Sequence, residues 1–395
     1  MNRFKKYKLK DLIIIKNGKD YKSYDKGNIP VYGTGGIITY IDSYAYDGES
    51  ILLPRKGTLD NIFYIKGKFW TIDTMYWTII NEKIVYPKYL YCYLSLLNLA
   101  CRDSGSTLPS MTFNAYYTLD INLPKYKEQI EVGDFIFKIL NNINNNKKYI
   151  EYLEKIINLI YNYWFLQFDF PDVNGKPYKL SGGKMLWNEE FKKEIPEDWE
   201  VKSLDEIVEM VSGFPFSTKD YDNNGKYKIY TIKNVQNGYI NSKVDNYIDF
   251  IPGKMSDECK LKEEDIIMSL TGNVGRVGLV YEKNALLNQR VLKLKPKYDD
   301  ISYIYSLFNN EYMRKTLEKN SFGTSQKNLS PIEIGKIRII YPDKNILKRF
   351  CKINNCLISQ IVNCYKENEE LELLRNFLLP LLMNGQVTFR NDKDI

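Results

Sequence analysis

Histidine is missing altogether from the 395 residues, which excludes imidazole-containing zinc sites and every catalytic triad that runs through a histidine. Cysteine is sparse: six residues, at 92, 101, 259, 351, 356 and 364, with no C-x-x-C spacing. Three of them fall on or near the last long apolar-periodic stretch, where a small buried hydrophobe accounts for them, and the chain reads as cytoplasmic and reduced. Long apolar runs are lacking too. The start, MNRFKKYKLKDLIII, sets basic residues before an apolar run too short to span a bilayer, and no small-residue cleavage site follows; it reads as a first strand or helix turn, not a signal peptide. Charge of one sign is in modest excess only, a formal +7 from 56 basic and 49 acidic residues, compatible with nucleic acid but far from a histone-like tail. No glycine-rich cofactor loop is present: Gly33-Thr34-Gly35-Gly36 is too short for a dinucleotide fingerprint, has no helix after it, and reads as a turn. Nor is there an Asn-Pro-Pro-Tyr-type methyltransferase stretch.

What is there is a duplication. Between 125 and 166 apolar residues fall at Ile136, Ile139, Ile143, Ile150, Leu153, Ile157, Ile160 and Trp164; between 343 and 384 they fall at Phe350, Ile353, Leu357, Ile361, Cys364, Leu371, Leu374, Leu378 and Leu382. Steps of three and four make each stretch the seam of a long helix that packs along another helix. The entrances to both seams register without a gap, GSTLPSMTFNAYYTLDINLP from 105 and GTSQKNLSPIEIGKIRIIYP from 323, so positions 105 and 323 are 218 residues apart. Further upstream ESILLPRKGT (49–58) lies over EDIIMSLTGN (264–273) at an offset of 215, and YKLKDL (7–12) over WEVKSL (199–204) at 192. An internal repeat of this length outranks any local motif as a guide to architecture.

Each half opens with strand-like runs broken by turns, at 11–16, 37–41, 50–54, 62–65 and 75–80, then at 227–232, 265–270, 277–281 and 291–295. A helix follows in each, at 87–100 and 301–318. The reading is an α/β (α+β) chain: a mixed domain over 1–124, a long helix over 125–168, a Pro- and Gly-broken linker over 169–198, a second mixed domain over 199–342, a second long helix over 343–384 and a tail over 385–395. NNINNN (141–146) weakens an isolated helix, yet the seam resumes in phase at Ile150, so packing is expected to override it. Pro380 is expected to kink or break the second helix. A helix of about 40 residues is roughly 60 Å long. Paired antiparallel, two of them would place similar lobes at opposite ends with near two-fold symmetry, a form suited to a long repeating rod such as duplex DNA.

At this point the chain resembles the specificity (S) subunit of type I restriction-modification enzymes. The likeness is carried by the two-fold repeat, YNYWFLQFDFP (161–171), GKPYKLSGGKMLWNEEFKKEIPEDWEV (175–201) and LLPLLMNGQV (378–387). It implies two target recognition domains, each reading one half of a bipartite asymmetric site in double-stranded DNA, and a helix pair that sets the spacer and docks two modification (methyltransferase) subunits. It further implies no catalysis in this chain and no cofactor of its own. S-adenosylmethionine belongs to the methyltransferase partner, and ATP and Mg to restriction subunits that can join. A coiled-coil scaffold binding other proteins at its two ends is the alternative.

Candidate DNA contacts lie where the two halves differ, as they must if the halves read different sequences. The first half offers Arg55, Lys56 and Thr58 in one turn and Ser106, Thr107 and Ser110 in a Gly-led loop. The second offers Thr271, Asn273 and Arg276, then Thr324, Ser325, Gln326 and Lys327, and also Asn288, Gln289 and Arg290, whose amide and guanidinium groups suit adenine and guanine edges. Ordinary turns, caps and a strand start explain the same residues equally. Trp164, Phe165, Leu378 and Leu382 are candidates for partner binding, with core packing as the rival. Pro171-Asp172 with Glu200-Val201-Lys202 imitates a metal nuclease's PD...ExK layout, but Asp172 lies in the linker and Glu200 is matched by Lys8 in the first half, so the layout is rejected.

Overall fold

The computed structural model describes residues 3–97, 99, 109–323 and 327–389. The chain divides into two compact units whose borders fall inside the long helices: residues 1–144 with 370–395, and residues 145–369.

The first unit runs β1 (Lys5–Lys8), α1 (Leu9–Leu12), β2 (Ile13–Asn17), β3 (Lys26–Gly33), β4 (Gly36–Ile41), β5 (Tyr46–Pro54), β6 (Phe63–Thr71), β7 (Met75–Ile80), α2 (Pro87–Ser95), α3 (Phe113–Tyr117), β8 (Asp120–Leu123) and the beginning of α4 (Tyr126–Tyr161). Six strands form one sheet in the order β2-β7-β5-β6-β3-β4, and β1 pairs with β8 beside it. The end of β5, from Ser50 to Pro54, is buried at every position, as befits a strand covered on both faces. Above the Leu53–Tyr76 pair, side chains complete what the backbones leave. Ser50 Oγ donates to the Thr78 carbonyl at 2.7 Å, and Thr78 Oγ1 donates to the Ile51 carbonyl at 2.9 Å. Those bonds satisfy polar groups that burial would otherwise leave unpaired.

The second unit holds the rest of α4, a π-helical turn (Asn162–Leu166), β9 (Met185–Asn188), β10 (Lys193–Pro196), β11 (Glu200–Ser203), α5 (Leu204–Ile207), β12 (Val208–Ser212), β13 (Tyr227–Tyr230), β14 (Tyr247–Ile248), β15 (Lys260–Leu261), β16 (Ile266–Ser269), β17 (Val277–Leu279), β18 (Ala285–Leu287), β19 (Val291–Pro296), α6 (Ile301–Asn309), α7 (Glu311–Lys319), α8 (Pro331–Gly335), β20 (Arg338–Tyr341) and most of α9 (Lys344–Met383). Its sheet β12-β19-β16-β17 answers β2-β7-β5-β6 of the first unit, and a second sheet, β14-β13-β18-β15, lies with it. The 169–198 segment is no bare connector. It folds back through the β9–β10 hairpin and buries Phe170 and Ile195 in this unit's core, with Phe168 and Trp199 buried at its two ends.

The long helices pair antiparallel inside each unit. In the second, Asn146 bonds Glu367 and Asn368, Tyr149 bonds Gln360, and Trp164 packs edge-on against Phe350, so one helix climbs as the other descends. In the first, Val132 and Ile136 share a core with Leu379, Leu382 and Met383. The asparagine run does not break α4, because Ile143 is buried and Asn146 finds partners on α9. Pro380 does not end α9 either, and the expected break is corrected: the helix runs one further turn to Met383. So near the end, a proline costs a single hydrogen bond, and the turn is closed by Gly385, whose N–H donates to the Leu382 carbonyl.

Two further expectations need correction. The helix expected over 301–318 is two helices, since Asn310 adopts an extended backbone and its side chain accepts from the Tyr312 N–H, capping α7. The offset of 192 between the two beginnings is 195. Lys8 pairs Asp120 as Ser203 pairs Arg338, and the Leu9 N–H donates to Leu119 as the Leu204 N–H donates to Ile337. Apolar residues in α1 and α5 recur every third position, so a slide of three superposes the pattern on itself and the sequence alone takes the wrong register.

Candidate nucleic-acid interface

Both units build the same frame beyond the end of a buried strand, and the two offsets read from the sequence meet in its hydrogen bonds. In the first unit the Gly57 N–H donates to the Pro109 carbonyl at 2.9 Å, and the Met111 N–H to the Arg55 carbonyl at 3.0 Å. In the second the Gly272 N–H donates to the Lys327 carbonyl at 2.9 Å, and the Leu329 N–H to the Leu270 carbonyl at 2.8 Å. Lys56 bridges Ser110 as Thr271 bridges Asn328. A third segment joins each: the Arg55 N–H donates to Thr74, and the Leu270 N–H to Arg290. Gly57 (φ +94) and Gly272 (φ +75) take the left-handed backbone that each turn requires, at no side-chain cost.

The frame therefore brings together residues that are far apart in sequence. In the first unit these are Arg55, Lys56 and Thr58 with Ser110; Lys56 and Thr58 are exposed and Arg55 is half-buried. The Arg55 guanidinium lies near enough to Tyr76 to oppose the upward push that burial gives its phenol. In the second unit Asn273, Gln289, Arg290 and Lys327 are exposed around the turn, and Arg276 is held by a 2.8 Å bond from Nη1 to Gln236 Oε1. Asn288 is tied into the fold by its backbone, donating to Tyr230 and bridging Phe214. Exposed cations and amides on a fixed backbone suit phosphate oxygens and base edges. Ser106, Thr107, Thr324, Ser325 and Gln326 lie outside the described residues.

Several expected roles do not survive the geometry. Thr271 is buried and so is not presented at the surface of the turn. Trp164 and Phe165 are buried among Tyr161, Trp199, Tyr303 and Phe350, and Leu382 is buried with Leu378 beside it in the first unit's core. Trp164, Phe165 and Leu382 are spent in packing and offer no face to a partner, while Leu378 is partly buried. Asp172, already rejected as part of a nuclease layout, accepts from the Asn174 and Lys176 N–H groups at 2.8 Å in a loop, which is turn chemistry. Sequence reasoning missed Gln236, which orients Arg276 from 40 residues upstream. It also missed Thr34, whose carbonyl accepts from Asn61 Nδ2 at 2.9 Å beside the Gly57 turn. Only the spacing of glycines at 33, 35 and 36 hinted at the latter.

The profile of the family described as "Type I restriction modification DNA specificity domain" matches residues 1–155 and 196–373. Curated relatives include the type I restriction enzyme MjaIX specificity subunit of Methanocaldococcus jannaschii, 27% identical over 351 residues, spanning 86% of this chain and 77% of that one. The type I restriction enzyme HindI specificity subunit of Haemophilus influenzae is 22% identical over 409 residues, spanning 89% and 86%. Among solved structures, the type-I restriction-modification system S subunit from M. genitalium shares the fold with a TM-score of 0.64 at 16% identity, covering 96% of each chain. With the family profile matched once in each half of the repeat, the chain belongs to the type I restriction-modification DNA specificity family.

Proposed function

We infer that this chain is the sequence-reading subunit of a type I restriction-modification enzyme, each unit recognising one half of a bipartite, asymmetric site in duplex DNA. The observation that carries this is the repeated frame with unlike side chains. Equivalent backbone bonds fix the turn that carries Arg55, Lys56 and Thr58 in one unit and the turn that carries Leu270, Thr271 and Asn273, joined to Arg290, in the other. A shared frame with divergent exposed groups is what two half-sites of different sequence demand. On this reading the chain performs no chemistry. Two modification subunits dock on it and use S-adenosylmethionine to methylate adenine, restriction subunits join with ATP and Mg, and its working place is the cytoplasm, with the DNA. Its partners' docking surface lies elsewhere than on Trp164 and Phe165. The test is genome-wide adenine methylation in cells with and without the chain: one bipartite motif is lost when the chain is deleted. An unchanged pattern with the methyltransferase expressed and active overturns the function.

A further inference from the structure

The β3–β4 hairpin leaves an apolar ridge in water. Ile37, Ile38 and Tyr40 are 49%, 50% and 49% exposed, and β4 is the edge strand of its sheet. Large side chains half in solvent along an edge are a liability that folded chains usually blunt, and where they persist they mark a binding surface. A bulge makes the ridge. Val31 pairs Thr39 and Tyr32 pairs Ile37, so Ile38 is the extra residue and two successive isoleucines face outward instead of alternating. The tip beyond them stands in open space, since a Cβ added at Gly35 or Gly36 would meet nothing within 4 Å.

The ridge is continuous with the basic turn. A Cβ at Gly33 would sit 2.7 Å from Ile38 Cδ1 and 3.2 Å from Ile72 Cδ1, so both isoleucines lie over that glycine. The Ile72 N–H donates to Tyr32, and two residues on, the Thr74 carbonyl holds Arg55. Lys19, exposed, donates its N–H to Thr71 on the other side. The described residues between β12 and β16 of the second unit carry short strands and no hairpin of this length.

We propose that the β3–β4 hairpin enters the major groove of the half-site read by the first unit and recognises thymine there, through contact of Ile37 and Ile38 with the base methyl groups. The proposal rests on the DNA-reading function given above. The major groove admits a two-stranded ribbon, and the C5-methyl of thymine is the apolar feature it displays. Isoleucine cannot read a donor or acceptor, so a methyl is what it discriminates. The flanking cations Arg55, Lys56 and Lys19 are placed for the phosphates that border such a groove.

The complex of this chain with its methyltransferase partner is used to select from a pool of random duplexes. The enriched sites are then remade with deoxyuridine replacing thymidine in one half at a time. In the half whose readout depends on Arg55 and Lys56, each methyl lost weakens binding about four-fold, the equivalent of one buried carbon. The other half is indifferent to the change. The Ile37→Ser/Ile38→Ser chain, its melting measured beside the parent's to show that it folds, binds thymine and uracil duplexes alike. The proposal is overturned if uracil has no effect in that half, or if the double variant keeps the thymine preference. A double variant that keeps the preference but loses self-association assigns the ridge to a second copy of the chain instead. A complex that enriches no duplex overturns the DNA-reading function itself, a result distinct from the other two.

Discussion

Glu154 lies on α4 with its carboxylate against Gly238 and the Tyr305 hydroxyl, which donates to it at 3.3 Å. Burial raises its pKa from 4.5 to about 7, with the Tyr305 hydrogen bond working against the rise and Glu151 adding to it; Tyr365 also faces it. In the unfolded chain the same group ionises near its ordinary value. As pH climbs from about 4.5 towards 7 the unfolded state therefore loses its proton first, and stability drains until the folded carboxyl ionises too. Glu154→Gln keeps an acceptor for Tyr305 and removes the titration. Urea unfolding of the second unit should show the variant equal to the parent at pH 4.5. At pH 8 the variant should be more stable, by on the order of 2 kcal/mol. A constant difference across that range would place the effect in packing and not in the charge.

Among the elements, α9 sets a proline where its pattern asks for a helix former, and the helix continues regardless. Pro380 forfeits the hydrogen bond that a residue there would donate to the Asn376 carbonyl, and its ring is partly buried. Pro380→Ala should raise the stability of the first unit by about 1–3 kcal/mol, read as a higher melting temperature. No gain would mean that the ring's contacts offset the missing bond. Much of this level was legible beforehand. The seams at Ile150, Leu153 and Ile157 and at Phe350, Ile361 and Cys364 are buried, because a three-four apolar rhythm has one economical partner, another such helix. Ile353 and Leu374, expected on the second seam, are exposed, and Ile358 is buried in place of its neighbour Leu357. What was not legible followed from local chemistry that periodicity does not register. Asn310 divides a helix because its side chain caps the next one. The short α1 and α5 repeat every three residues, and so admit a false register. The 169–198 segment joins the second unit's core because Phe170 stacks on Tyr178 and on Trp199 just beyond it, a contact that composition, which marks the segment as linker, does not reveal.

At the scale of the whole chain the duplication makes two readers that should fail separately. Candidate contacts were legible as places, the turn after β5 and the turn after β16, because both offsets of the repeat converge there. Which side chains face out was not, since Thr271 and Arg290 are equally polar in sequence and only the fold buries one and exposes the other. This yields a test in which each unit controls the other. Arg55→Ala/Lys56→Ala should relax the sequence preference in one half of the bipartite motif, and Arg276→Ala/Arg290→Ala in the other half only. Removing a base contact costs about 1–3 kcal/mol at its own position, whereas removing a phosphate contact weakens all duplexes alike and lowers the salt slope by about 0.9 per contact. Binding measured over a salt series on duplexes altered in one half at a time separates the two kinds of contact. If either pair of substitutions blurs both halves equally, the turns serve a common phosphate-binding role, and the reading of sequence has to be sought in the hairpin and the neighbouring loops.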